Sequence, residues 1–284
     1  MPAIFKSRLR SSTRSLRVIQ YLRDPRLHGR FHMLCYHRIG ADDESDSLTI
    51  PRWLFEQQMA LLHRDYRPIV LGTAVECLVQ QRPLPPRAVV VTFDDGYEDT
   101  FTRALPLLQQ WEIPATVFVT TGYVDGLSSL AWRLKAPMLS WSMVRELAQA
   151  GLEIGSHTLT HPELAQLSFR EAEEELVSSK HRLEDVVQQR VELLAYPYGH
   201  VRSFDEETQR LVMEAGYHAA VTTIPGSNGS DTNRFALHRV TPSRRDVAAL
   251  AMQLAELPLD RGLAAALTYG LRRKWAPVHV AAAA

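Results

Sequence analysis

The 284-residue chain is 45% apolar and 23% charged, enough material for one large hydrophobic core. Its 32 basic and 32 acidic residues cancel, which excludes the strongly basic footprint of a dedicated nucleic-acid binder. No stretch reaches the roughly 18 consecutive apolar residues that a membrane span requires, and Cys35 and Cys77, lacking metal-type spacing, read as buried thiols in a reducing compartment.

In chain order, residues 1–30 read as a basic arm. Arginines interrupt "MPAIFKSRLRSSTRSLRVIQYLRD" so often that no apolar h-region follows, and the expected site of action is cytoplasmic. The arm is either solvated or a peripheral contact with anionic head groups of the inner membrane, and the helical tail at 257–284, with "YGLRRKW", poses the same choice. Between them, residues 31–256 alternate two patterns. "HMLCYHR", "RPIVL", "AVVVTF", "ATVFV", "LEIGS", "LLAYP" and "HAAVTT" read as strands. "PRWLFEQQMALLHR", "EDTFTRALPLLQQW", "SMVRELAQA", "SFREAEEELVSSKHRLEDVVQQ" and "FDEETQRLVMEA" have helical spacing, with Ser168 and Glu171 set for a capping box and Gly151 and Gly216 placed to end helices. Strand and helix in alternation imply parallel strands with helices outside. About seven units favour a distorted (β/α)7-type barrel in a single α/β domain. No Gly-x-Gly-x-x-Gly or phosphate loop supports a nucleotide site.

In such a fold the active site lies where strands end. "TFDDG" ends one strand in two like charges, Asp94 and Asp95, and Gly96 lets the backbone turn sharply there. Adjacent carboxylates repel unless a cation lies between them. "LEIGSHTLTH" ends another strand in His157 and His161, at the i, i+4 spacing that puts two imidazoles on one side of a helical turn. Joined with one aspartate they make a two-histidine, one-carboxylate metal set, leaving the other aspartate as a base. "LLAYPYGH" supplies Tyr196, Pro197 and Tyr198, aromatics suited to a sugar face and a backbone N–H after Pro197 suited to an oxyanion.

"TFDDGY", "SHTLTH" and "AYPYG", in that order, resemble the three motifs of the polysaccharide deacetylase family, also called the NodB-homology domain or carbohydrate esterase family four. The resemblance covers roughly residues 31–245 and is closest to the poly-N-acetylglucosamine deacetylase-like branch. It implies removal of N-acetyl groups from an N-acetylated glycan. It also implies one divalent metal ion, Zn2+ first with Co2+ or Ni2+ as alternatives, held by Asp95, His157 and His161. By the same resemblance Asp94 matches the base, the Tyr198 backbone the oxyanion donor, and His37, after Tyr36 in "LCYHRIG", the general acid. Ala195 stands where many members carry an arginine that braces the base. "FALHRVTP" offers His238 as an alternative acid, or Arg239 as the positioned residue. Two other readings stay open: hydrolysis of another small amide or imide on the same barrel, and a non-catalytic carbohydrate-binding protein.

Overall fold

The computed structural model describes residues 29–40, 46–126 and 136–255; the basic arm up to residue 28 and the tail at 257–284 lie outside the described residues. The chain begins with β1 (Phe31–Tyr36), β2 (Arg38–Gly40), β3 (Thr49–Pro51), α1 (Arg52–Asp65), β4 (Arg67–Pro68), α2 (Leu71–Val79) and β5 (Ala88–Phe93). A π-turn at Thr100–Ala104 leads into α3 (Leu105–Gln110), followed by β6 (Ala115–Val119), α4 (Thr121–Val124), α5 (Trp141–Gln149) and β7 (Glu153–Ser156). Then come α6 (Phe169–Val187), β8 (Leu193–Ala195), α7 (Glu206–Glu214), β9 (Ala219–Val221) and α8 (Val247–Leu254). All seven expected strands form, and the five expected helices form with them. By compactness, Arg26–Pro242 is one unit, and α8 belongs to a second, where the Asp246 side chain caps its first turn.

The barrel strands are parallel and run β1-β5-β6-β7-β8-β9. β1 pairs with β5 along its full length, from Phe31 opposite Ala88 to Tyr36 opposite Phe93. Short β4 and β6 divide the other edge of β5, one pairing at Ala88 and Val89 and the other at Val91 to Phe93. An extended segment at 237–240 closes the ring. Leu237 N–H donates to Ala220 O at 3.0 Å on the β9 side, and Val240 N–H donates to Met33 O at 2.7 Å on the β1 side.

Strands covered on both faces read as continuous apolar runs, and β1 and β5 are buried at every position. Alternation sends Phe31, Met33, Ala88, Val90, Phe118, Leu193, Ala195, Ala219, Val221 and Leu237 into one inner cluster. The opposite parity packs outward, where the Phe55 ring of α1 meets Tyr36 at 5.1 Å and Phe93 at 5.9 Å. Burying each such side chain contributes about 1.5–3 kcal/mol. The unexpected α2 places Leu71, Ala74, Val75 and Cys77 in the inner cluster and so plugs the end of the barrel where strands begin. Glu153, first residue of β7, fastens that plug by accepting from Gly72 N–H at 3.0 Å and from the Thr116 hydroxyl at 2.6 Å. With the bottom filled, the open end is the one where strands finish.

Candidate active site

The first two motif residues are splayed by backbone geometry. Asp94 continues the inward parity of Val90 and Thr92, and its N–H donates to Tyr36 O at 2.9 Å. Asp95 and Gly96 then take φ values of 71° and 85°, a left-handed bend that glycine adopts freely and aspartate tolerates better than most residues. The two carboxylates therefore acquire separate partners.

Asp94 is buried and meets a cation head-on. Arg239, itself fully buried, donates from one guanidinium nitrogen to Asp94 Oδ1 at 2.7 Å and from the other to Oδ2 at 2.6 Å. Two further guanidinium N–H groups donate to Thr222 O at 2.7 Å and the Thr92 hydroxyl at 3.1 Å. Cys35 Sγ lies 3.4 Å from Asp94 Oδ2, as a thiol that burial keeps protonated. Burial alone would push the Asp94 carboxyl up, but the paired guanidinium outweighs it and brings the pKa to about 2. The bracing arginine absent at Ala195 thus arrives from the closing segment, two strands further round the barrel.

Asp95 faces the histidines. His157 Nε2 and His161 Nε2 each lie 3.3 Å from Asp95 Oδ1. His157 Nδ1 lies 2.8 Å from Ala195 O, which only accepts, so Nδ1 carries a proton and, in the neutral ring, Nε2 turns its lone pair toward the carboxylate. A lone pair and a carboxylate face to face are stable only with a proton or a metal cation between them. Burial raises the Asp95 pKa and lowers that of His157, yet mutual contact reverses both, holding the Asp95 carboxyl well below the usual range and the imidazole above its own. The 3.3 Å spacing is also the edge of a tetrahedron whose centre lies about 2.0 Å from each ligand, the zinc bond length to nitrogen or oxygen. The three side chains fit a divalent cation. Beside them, Cys35, His37 and Asp94 form a second close group, but Arg239 already supplies the positive charge there.

The turn carrying the histidines is not helical, contrary to the i, i+4 expectation. Thr158 and His161 have φ values of 66° and 65°, so two left-handed residues swing the second imidazole back toward the first. The Tyr123 ring stacks on His161 at 5.9 Å and the Tyr198 ring meets it edge-on at 4.9 Å.

Other expected residues divide. His37 follows the inward parity of Met33 and Cys35, and one of its ring nitrogens lies within 4.8 Å of a ligand atom of Asp94 and of Cys35. Tyr198, at φ 62° and 47% exposed, lines the mouth, and its N–H makes no hydrogen bond with the described residues. Pro197 is buried behind it. Tyr196 does not present a sugar face: it is fully buried, stacks on Phe204 at 4.5 Å and donates its hydroxyl to Phe235 O at 3.0 Å. Its parity is opposite to that of the residues lining the barrel interior. His238 is likewise displaced from the site because its neighbour Arg239 points inward. Its ring packs on Gly226, where an added Cβ would sit 2.5 Å from Nδ1.

Comparison with known proteins agrees with this geometry. The polysaccharide deacetylase family model matches residues 81–220. Bacillus subtilis YxkH, which carries a polysaccharide deacetylase name, is 32% identical over 215 residues, covering 74% of this chain and 71% of its own. The Escherichia coli poly-β-1,6-N-acetyl-D-glucosamine N-deacetylase is 30% identical over 141 residues, 46% of this chain and 21% of that protein. Among solved structures, IcaB from Ammonifex degensii superimposes with TM-score 0.68 at 26% identity, over 80% of this chain and 97% of its own. The Streptococcus pyogenes deacetylase PplD, in complex with acetate, shares the fold with TM-score 0.71 at 24% identity, over 79% of this chain and 98% of its own. A barrel open at the strand ends, two aspartates with separate partners and paired imidazoles agree with these likenesses: the chain belongs to the polysaccharide deacetylase family, hydrolases that cleave non-peptide carbon–nitrogen bonds.

Proposed function

We propose that this site removes the acetyl group from a β-linked N-acetylglucosamine glycan, with Asp95, His157 and His161 holding Zn2+. The observation that carries the reading is the division of labour between adjacent aspartates, one paired with a guanidinium and the other with two imidazoles. Relatives named for poly-β-1,6-N-acetyl-D-glucosamine, chitooligosaccharide and peptidoglycan N-acetylglucosamine share that sugar. A bound divalent cation supplies Lewis-acid polarisation of the acetyl carbonyl and acidifies water. Asp94, kept ionised and fixed at both oxygens, receives the proton of the attacking water. The Tyr198 N–H donates to the oxyanion as the carbonyl becomes tetrahedral, a contact whose loss typically costs about 100- to 1000-fold in rate. His37 then protonates the departing sugar nitrogen, which leaves as an amine beside acetate. The exposed ring of Tyr198 offers the sugar a stacking face.

Two buried free thiols, Cys35 and Cys77, support action in a reducing compartment on the cytoplasmic side. No helix among the described residues is long and apolar enough to cross a membrane. Cell fractionation checks the compartment, and recovery outside the cytoplasm would overturn it.

The roles are tested by acetate release and zinc content together. Asp94→Asn should abolish acetate release from N-acetylglucosamine oligomers while zinc stays near one per chain; Asp95→Asn should lose zinc. The reverse pattern would exchange the two roles, and absence of acetate release by the parent chain from all three glycan types would overturn the substrate class.

A further inference from the structure

His161 differs from His157 in how its ring is held. His157 is oriented by its Nδ1 bond to Ala195 O, whereas His161 Nδ1 is buried without a hydrogen-bond partner among the described residues. Ring contacts with Tyr123 and Tyr198 leave the position of His161 to be set mainly by its backbone. That backbone is strained, with left-handed residues at both Thr158 and His161, a conformation that persists only where surroundings enforce it.

Backbone donors of α4 hold two carbonyls of the turn, Thr121 N–H donating to Thr158 O at 3.2 Å and Gly122 N–H to Leu159 O at 2.7 Å, and the Thr158 hydroxyl accepts from His161 N–H at 3.1 Å; the side-chain enforcement comes from α6. Glu175, 9% exposed, turns its carboxylate back onto the turn between the histidines. Oε2 accepts from Leu159 N–H at 2.9 Å and Thr160 N–H at 2.8 Å, and Oε1 accepts from the Thr160 hydroxyl at 2.5 Å. One turn further along the same helix, the Ser179 hydroxyl lies 2.8 Å from that of Ser156, which in turn accepts from Thr158 N–H at 3.1 Å. A carboxylate bonded to two consecutive amides fixes the peptide plane between Leu159 and Thr160, and His161 follows directly. We infer that Glu175 is a positioning residue of the metal site, holding the 158–161 turn so that His161 Nε2 converges with His157 Nε2 and Asp95. The inference deepens the deacetylase reading above and rests on it.

Outer partners of metal ligands typically contribute 10- to 100-fold in metal affinity. The full chain is stripped with a chelator and titrated with Zn2+ alone against a chromophoric competitor, and thermal unfolding of the metal-free protein is followed in parallel. Glu175→Ala should weaken Zn2+ binding by about 10- to 100-fold. Glu175→Gln should weaken it less, because its amide oxygen still accepts from the two backbone N–H groups and the Thr160 hydroxyl can turn to accept from its NH2, so that only the charge is lost. A merely structural role would lower the unfolding midpoint and leave zinc affinity within twofold of the parent, which overturns the inference. Should Glu175→Ala fail to fold, Thr160→Val removes one of the three bonds and should weaken zinc binding severalfold; unchanged affinity there overturns it equally. A parent chain that holds no zinc overturns the metal reading and this inference with it, whereas a zinc-binding parent with an unaffected Glu175→Ala overturns the positioning role alone.

Discussion

Arg239 and Asp94 are both wholly enclosed, so neither charge has water to fall back on. Removing one partner of a buried pair typically costs about 3–5 kcal/mol, because the other is left uncompensated. Arg239→Met should therefore destabilise the fold by that order in urea titration. It should also move the acidic limb of kcat/KM to higher pH, since Asp94 without its guanidinium takes up a proton more readily. The sign for the parent chain follows from a folded pKa of about 2 against 3.8 for a free aspartate. The stabilisation is fully present above about pH 4 and is lost as pH falls toward 2, an effect on the order of 2 kcal/mol. His37→Ala should lower the rate on an acetamide by about 100-fold or more and far less on an activated ester, whose leaving group needs no proton; equal losses would remove His37 as the acid. Asp94, Asp95, His157 and His161 were legible because each pair sits within five consecutive residues. Arg239 was offered only as a positioned residue; its pairing with Asp94 was not legible, since that partner lies 145 positions away and local patterning carries no such distance. Tyr196 was misread because an aromatic beside a motif proline looks the same in sequence whether it faces the mouth or the core.

At the level of elements, strands were easier to read than the helix that seals them. α2 is short, apolar on most sides and without a side-chain cap, so only "RPIVL" before it registered, as a strand, and the helix that follows did not. Its placement depends on Glu153 and Thr116, which no local pattern announces. α6 was legible because its start is written in polar residues: the Ser168 side chain accepts from Glu171 N–H while Glu171 bonds back to Ser168 N–H. Ser168→Ala should cost about 1 kcal/mol in thermal or urea unfolding, the usual worth of such a cap. Gly155 in β7 is constrained from the inside of the barrel. A Cβ there would stand 2.5 Å from the Phe118 ring and 3.1 Å from Leu193 O, and neither a packed ring nor a backbone carbonyl yields cheaply. Gly155→Ala should destabilise by about 1–3 kcal/mol. A urea midpoint equal to that of the parent would show that the barrel interior has slack at this level.

Taken as one molecule, the barrel was legible as a count of alternating strands, but its closure was not. The segment at 237–240 is read in sequence as "LHRV", too short and too charged to register as a strand. It joins β9 to β1 through backbone bonds on both edges and carries Arg239 inward as it does so. If that closure is as firm as the rest, the amides of Leu237 and Val240 should exchange with deuterium as slowly as those of β5, and fast exchange there would mean a ring that opens locally. The same segment imposes an order on biosynthesis. Asp94 leaves the ribosome 145 residues ahead of its counter-charge, an interval on the order of 10 s at ordinary translation speeds. Through that interval β1 keeps an unpaired edge and Asp94 has no guanidinium to enter the interior with, so the nascent chain cannot complete this part of the barrel. Maturation of the active site is thus a late event, triggered by the arrival of one arginine near the end of the barrel unit.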